Sequence, residues 1–223
     1  MSTEKWFIAF ICIAHLIAAP AVFSGANENN TDPVVQFYRQ RAASVFETRN
    51  PISHGVSYSF EAKAFYKKID GNGRVADTDS AVATYYFSYG TLDSQNTEVI
   101  TSENLKQIDF SFPNVFAQEY LFSFYPNDTG GPDLAIGFDL DSATDQRPVG
   151  LAIVDRDDYH LRWLYLYYPH EEGHKRFSRS FRMNLHDAFV FPDSMWVVGA
   201  KAGILSTDDY RLEVDIRNLQ IYR

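Results

Sequence analysis

The sequence YHLRWLYLYYPHEEGHKRFSRSFRMNLH, residues 159–186, combines two alternating segments with a short connection between them. The second segment alternates apolar with polar side chains, and the first alternates aromatic rings with leucines; both have the period of two that is typical of a β-strand. The connection contains Pro169 and Gly173, which favour a turn and disfavour a helix. The stretch therefore predicts a β-hairpin.

The predicted turn also contains the order H-E-x-x-H, formed by His170, Glu171 and His174. In zinc peptidases this order lies on a helix, where the two histidines face one metal ion from adjacent turns. A hairpin turn does not give that geometry, and the glycine and histidine that follow in metzincins are missing here. His186 and Asp187 could approach only through the fold. We expect no metal site and no cofactor.

Two acidic groups offer weaker chemical hypotheses. Asp139, Asp141 and Asp145 could bind calcium, but the glycine and terminal glutamate of an EF-hand loop are absent. Asp155 and Asp157 could serve a hydrolase, although their spacing does not favour one. Aspartates are common in turns because they hydrogen-bond to nearby backbone. The sequence predicts a protein that is not an enzyme.

Strand-like segments continue on both sides of the hairpin. Alternation begins at Gly55, DGNG at 70–73 predicts a tight turn, and the returning strand places Tyr85, Phe87 and Tyr89 on one side. Residues 91–119 have the composition of a loop. Further strands are predicted in EYLFSFY, DLAIGFDLD, VGLAIVDR, FVFPDSMWVVGA and DDYRLEVDIRNLQIYR. Short polar links favour an antiparallel meander.

The last predicted strand changes phase near Asn218, which indicates a β-bulge. We expect this strand to lie exposed at an edge of the sheet. Before the strands, Asp32 and Pro33 predict the start of a helix, and Asn50 with Pro51 predicts its end. Its apolar positions recur at helical spacing; they are Val34, Tyr38, Ala42, Val45 and Phe46.

The N-terminal residues predict an exported chain. An apolar run from Trp6 to Ala19 follows Lys5 and is shorter than the roughly 20 residues of a membrane span. Residues 1–24 are interpreted as a signal peptide and 25–223 as a single β-rich domain, with periplasmic or secreted localisation and no stable membrane span after cleavage. Small residues allow cleavage after Ala21, Ser24 or Ala26.

Composition narrows the possible partners. The only cysteine, Cys12, lies in the predicted leader, so the mature chain would have neither disulfides nor a cysteine nucleophile. The net charge of −9 disfavours nucleic acid and anionic membranes as partners.

A register guessed from the two turns places aromatic side chains on one face of three strands. Centring the turn near Glu172 sets Tyr167, Tyr165 and Trp163 opposite Phe177, Arg179 and Phe181. The predicted ligand-binding residues are Trp163, Tyr165, Tyr167, Phe177, Arg179 and Phe181. Arg179 either stacks on Tyr165 and pairs with an aspartate, or holds the polar head of a ligand.

A helix at DPVVQFYRQRAASVF followed by a meander ending in LEVDIRNLQIYR resembles the lipoprotein-sorting (Lol-type) carriers of the bacterial periplasm. The resemblance implies a mainly β (α+β) fold: an antiparallel meander forming a curved half-barrel sheet with one N-terminal amphipathic helix. It also implies a binding protein for a lipid, an acyl chain or another apolar ligand, with another exported protein as a further possible partner. The sequence leaves open a β-sandwich that binds carbohydrate or protein, and a zinc-dependent hydrolase.

Overall fold

The computed structural model describes residues 32–99, 108–116, 120–124, 131–140, 147–171, 173–202 and 207–222. One helix, α1 (Pro33–Arg49), precedes ten strands. The strands are β1 (Ser57–Ile69), β2 (Val75–Ser88), β3 (Thr91–Val99), β4 (Tyr120–Phe124), β5 (Asp133–Leu140), β6 (Val149–Asp155), β7 (Leu161–Tyr167), β8 (His174–His186), β9 (Phe189–Ala202) and β10 (Thr207–Tyr222).

All ten strands belong to one open antiparallel sheet in the order β3-β2-β1-β10-β9-β8-β7-β6-β5-β4. The predicted mainly β fold with one N-terminal helix is confirmed. The expectation of an exposed last strand is wrong, because β10 pairs with β1 on one side and β9 on the other. The edges are β3 and β4. A β-sandwich is also excluded, since the described strands form one sheet.

Helix α1 begins and ends where the sequence predicts. The Asp32 carboxylate accepts a hydrogen bond from the Val34 amide at 2.8 Å, Pro33 occupies the first turn, and Asn50 is the C-cap. The buried residues are Val35, Arg39 and Ala42, whereas Val34 is 53% exposed. The predicted apolar face is therefore rotated, because an arginine takes a position on the buried side.

The hairpin and the bulge predicted from the sequence are both present. Asp70 accepts hydrogen bonds from the amides of Asn72 and Arg74, and Gly73 has a φ of +77°. The register of β1 against β10 shifts between Ser59 and Glu61, where Asn218 has a positive φ of 54°. The turn and the bulge thus both place a positive φ at a residue that adopts it readily, Gly73 and Asn218.

Two predictions about the region after β2 are wrong. Tyr85 and Phe87 do face one side, but Tyr89 lies beyond the strand with a φ of 51° and is 77% exposed. Residues 91–99 are strand β3 rather than loop. A polar strand at a sheet edge lacks the hydrophobic alternation on which recognition depends.

Close backbone approach explains one glycine of β6. A Cβ at Gly150 would lie 1.9 Å from the carbonyl oxygen of Tyr165 on β7 and 3.2 Å from the Phe138 ring. Moving either neighbour costs free energy, because one is the backbone of the adjacent strand and the other is a buried ring.

We expect Gly150→Ala to lower the free energy of unfolding by about 2 to 4 kcal/mol, since the β6–β7 pair must separate locally. Urea unfolding followed by tryptophan fluorescence measures the change. Gly131→Ala is the matched control, because nothing lies within 4 Å of a Cβ there. Equal stability of both variants would contradict the close approach.

Candidate functional site

One face of the sheet, called here the inner face, is covered by α1 and by residues 108–116, called here the strap. Phe112 of the strap contacts Phe46 of α1 and Phe181 of β8, with ring centroids 6.0 and 5.5 Å apart. Phe110 packs edge-on against Phe60 and Tyr85, at 5.0 and 4.9 Å. The strap therefore joins the helix to both halves of the sheet.

Arg179 binds the strap from the centre of the sheet. Its side chain is 9% exposed and forms an ion pair with Asp109 at 3.0 Å. The guanidinium also donates to the carbonyl oxygens of Asp109 and Ser111, the latter at 2.7 Å, and lies 5.2 Å from the Phe181 ring centroid. The predicted aspartate pair is confirmed, but the stacking partner is Phe181 instead of Tyr165.

The same contacts set the charge state of Asp109. Burial raises the pKa of this carboxyl, but hydrogen bonds with Ser111 and the Arg179 guanidinium outweigh it, so the pKa falls below its ordinary value. The Asp109 side chain is 66% exposed, so solvent screens the pair on one side. Asp109 is therefore an ionised partner that water can reach.

A second arginine holds the other end of the strap. Arg39 of α1 is 9% exposed and donates a hydrogen bond to the Phe116 carbonyl at 3.0 Å. Its guanidinium lies 5.4 Å from the centroid of Phe122 on β4. The strap has no ladder partners, so these guanidinium groups satisfy carbonyls that would otherwise be buried without donors.

A cavity of about 10 Å³, roughly one water-sized sphere, lies between the end of α1, the strap and the sheet. It is lined by Val45, Phe46, Arg49, Asn50, Phe112, His160, Leu161, Met183 and Val190.

The structure divides the six predicted site residues between two faces. Phe177, Arg179 and Phe181 lie on the inner face. Trp163, Tyr165 and Tyr167 lie on the outer face, because they pair in register with Arg182, Ser180 and Ser178. The prediction of one shared aromatic surface is wrong.

A slip of one residue causes this error. The β7–β8 register sets Leu164 against Phe181 and Leu166 against Arg179, one position away from the predicted pairing. On the β6 side, a bulge between Ile153 and Val154 preserves only the Val154–Leu161 pair of the predicted register. Because successive side chains of a strand point to opposite faces, a one-residue slip places the rings of β7 on the face opposite to Phe177, Arg179 and Phe181.

The outer face carries a row of stacked rings. Trp163 stacks on Tyr165 with centroids 6.0 Å apart and on Trp196 with centroids 5.7 Å apart. Ser180 lies in register between Tyr165 and Trp196, so its small side chain leaves room for the rings. These rings are half-buried and separated from the strap by the thickness of the sheet.

The H-E-x-x-H stretch lies in the turn between β7 and β8, as predicted. His170 is in the turn, whereas His174 begins β8 and its Nε2 lies 3.1 Å from the Tyr210 hydroxyl. His186 is at the far end of β8, about 40 Å away at ~3.3 Å per residue. In the calcium hypothesis, Asp141 and Asp145 lie outside the described residues.

One group within the described ranges could offer metal ligands: Asp155, Asp158 and His160, whose ligand atoms lie within 4.8 Å of one another. Arg49 pairs with Asp158 at 3.0 Å and Arg162 reaches Asp155 at 3.5 Å. Asp155 also accepts hydrogen bonds from the turn amides of residues 157 and 158. The acidic side chains of this group therefore stabilise the turn and join it to the end of α1.

The pH dependence of this turn follows from Asp158. Burial raises its pKa, but hydrogen bonds with His160 and Arg49 lower it more, to about 2 from an ordinary 3.8. A lowered pKa in the folded state stabilises the protein above the unfolded pKa, and this stability is lost as pH falls through the folded one.

We expect Asp158→Asn to lower the melting temperature at pH 6, with the difference from wild type shrinking between pH 4 and pH 2. Thermal unfolding at several pH values measures it. Asp157→Asn at the next position is the matched control, since the described contacts give the Asp157 carboxylate no ion pair with Arg49 or His160. A difference that persists unchanged at pH 2 would contradict the assignment.

The sequence analysis does not single out the strap as part of the site. Ile108, Phe110 and Phe112 alternate with Asp109 and Ser111, and the three apolar side chains pack on the core. That short alternation was the available signal. No sequence pattern marks Arg39 as a site residue, because an arginine on a helix is normally exposed.

Comparison with known proteins finds similarity in structure alone. No family model matches, and no curated protein matches. The chain is similar to a domain assigned as an outer membrane lipoprotein-sorting protein from Vibrio parahaemolyticus, with 9% identity, a TM-score of 0.40, and coverage of 84% of this chain and 93% of that one. It is also similar to the LolA superfamily protein NE2245 from Nitrosomonas europaea, with 8% identity, a TM-score of 0.35, and coverage of 85% and 94%.

A third similar chain comes from the complex of Pseudomonas aeruginosa MucA and MucB, with 12% identity, a TM-score of 0.24, and coverage of 82% and 94%. Two of these three chains carry the lipoprotein-sorting or LolA description that the resemblance in element order names. TM-scores of 0.40 and below do not define a function.

No helix in the described ranges is long and apolar enough to cross a membrane.

Proposed function

We propose that the protein is an exported, non-catalytic carrier that binds a lipid or another apolar ligand on the inner face of its sheet. In this proposal the strap occupies the ligand site in the unliganded state and moves aside on binding. The observation that supports it most is an apolar inner face covered by a segment without ladder hydrogen bonds.

The inner face offers apolar area in the centre of the sheet. Leu164, Leu166, Phe181 and Met195 are at most 1% exposed beneath the cover. Apolar area buried from water contributes roughly 25 cal/mol per Å², so an acyl chain that replaces the strap rings can be held by contact area. The ligand needs few polar partners.

The strap is the part of the cover that can move at least cost. Strands of the sheet are fixed by continuous ladders, whereas the strap is held by rings and by the hydrogen bonds from Arg39 and Arg179. Segments with few backbone hydrogen bonds open at lower free energy than core strands. Displacing residues 108–116 would expose the inner face while the sheet stays intact.

Of the six residues first selected, Phe177, Arg179 and Phe181 remain in the proposed site. Trp163, Tyr165 and Tyr167 do not, because they lie on the opposite face. A hydrolase is disfavoured by the ion pairs that engage Asp155 and Asp158.

We expect Asp109→Ala to bind the apolar dye 1-N-phenylnaphthylamine about 3- to 5-fold more tightly than wild type. Removing a partly exposed ion pair lowers the cost of strap displacement and raises the binding-competent fraction. A fluorescence titration measures the affinity. Asp77→Ala, which removes an exposed aspartate of β2, is the control and should bind like wild type.

Native mass spectrometry of the purified mature chain tests the function itself, with co-purified lipid as the expected result. If wild type and Asp109→Ala both lack bound lipid and dye binding, the carrier function is wrong.

We also expect the amides of residues 108–116 to lose protection from hydrogen exchange when dye is added, because the strap leaves the inner face. Trp163→Ala on the outer face should leave dye affinity unchanged, whereas Phe181→Ala should weaken it by losing contact area. Protection of the strap that increases on binding would show that the ligand does not replace it.

A further inference from the structure

Tyr85 carries a buried hydroxyl that has no hydrogen-bond partner among the described residues. The side chain lies on β2 and is 1% exposed. Burial raises its pKa to about 12, so the phenol stays protonated and is a hydrogen-bond donor. Most buried polar groups are hydrogen-bonded, so this one requires an explanation.

The rings around Tyr85 show which part of the cover closes over it. Phe60 of β1 pairs with Tyr85 in register and stacks on it with centroids 5.5 Å apart. Phe110 of the strap packs edge-on against Tyr85 at 4.9 Å. The unpartnered hydroxyl therefore belongs to the surface that the strap would uncover.

A low strip of small side chains follows Tyr85 on the inner face. Ala62 pairs with Ala83, and Ala64 pairs with Ala81. All four alanines are buried, with exposures of 1 to 5%. The strip runs between the rings at Phe60 and Tyr66, a distance of about 20 Å along β1 at ~3.4 Å per residue.

We propose that the ligand is an acyl compound with an ester or amide carbonyl, whose oxygen accepts a hydrogen bond from the Tyr85 hydroxyl while its chain lies along the alanine strip. This inference rests on the carrier function proposed above. A neutral carbonyl suits the site because the rings that contact Tyr85, Phe60 and Phe110, are uncharged. A carboxylate would be buried there without a counter-charge.

Two ligands of similar length test the hydrogen bond separately from the apolar contact. Methyl laurate carries an ester carbonyl, and tetradecane has none. Each is titrated against protein loaded with 1-N-phenylnaphthylamine, and displacement is followed by fluorescence. The variants are Tyr85→Phe, which removes the hydroxyl, and Tyr86→Phe, which makes the same change at the next residue on the other side of β2.

We expect Tyr85→Phe to weaken methyl laurate binding about 3- to 10-fold, the range for one neutral hydrogen bond, and to leave tetradecane unchanged. Tyr86→Phe should alter neither. The unliganded Tyr85→Phe protein should melt at the same or a higher temperature, because an unpartnered buried hydroxyl is removed.

Three results would overturn the inference while leaving the carrier function standing: equal methyl laurate binding by Tyr85→Phe and wild type, an equal loss for both ligands, or a markedly lower melting temperature of unliganded Tyr85→Phe. Binding of neither ligand and no dye by wild type would instead overturn the carrier function, and this inference with it.

Discussion

The hydrogen bonds between Arg179 and the strap are the constraint on which the closed structure depends. An irregular segment on an apolar sheet face has backbone carbonyls that no ladder can satisfy, and leaving them unpaired costs free energy. Arg179 donates to two of them and pairs with the carboxylate of Asp109 in the same place. A buried guanidinium without these acceptors would be equally unfavourable. The strap and the arginine thus require each other.

The order of strands explains why a strap crosses the sheet at all. Strands β1 and β10, the first and last along the chain, pair inside the sheet, so the edges β3 and β4 come from consecutive parts of the chain. Their connection has to pass from one edge to the other, nine strand spacings or about 40 Å along the sheet at ~4.8 Å each. Residues 108–116, which belong to this connection, lie on the inner face beside α1. The cover of the proposed ligand site is therefore a consequence of topology.

Most side chains of the inner face are apolar and buried. Three of its charged groups, Arg39, Arg179 and Asp109, hold the strap, and its rings provide contact area. In the proposed carrier, an acyl chain would replace the contact area that the strap rings occupy. The unpartnered hydroxyl of Tyr85 departs from this pattern, because the strap leaves its hydrogen bond unmade.

The sequence by itself determined the elements, because hydrophobic period, capping residues and turn residues act over a few neighbours. Helix α1, the DGNG turn, the bulge at Asn218 and the hairpin at 168–174 all follow from such local signals. The tertiary structure alone decided which faces meet. The β7–β8 turn sets a pairing one residue away from the predicted one, which places Trp163 and Phe181 on opposite faces, and the strand order places β10 in the interior of the sheet. The register of a hairpin depends on its turn geometry to within a single residue, and strand order depends on contacts between residues far apart in the chain, so the alternation of side chains alone determines neither.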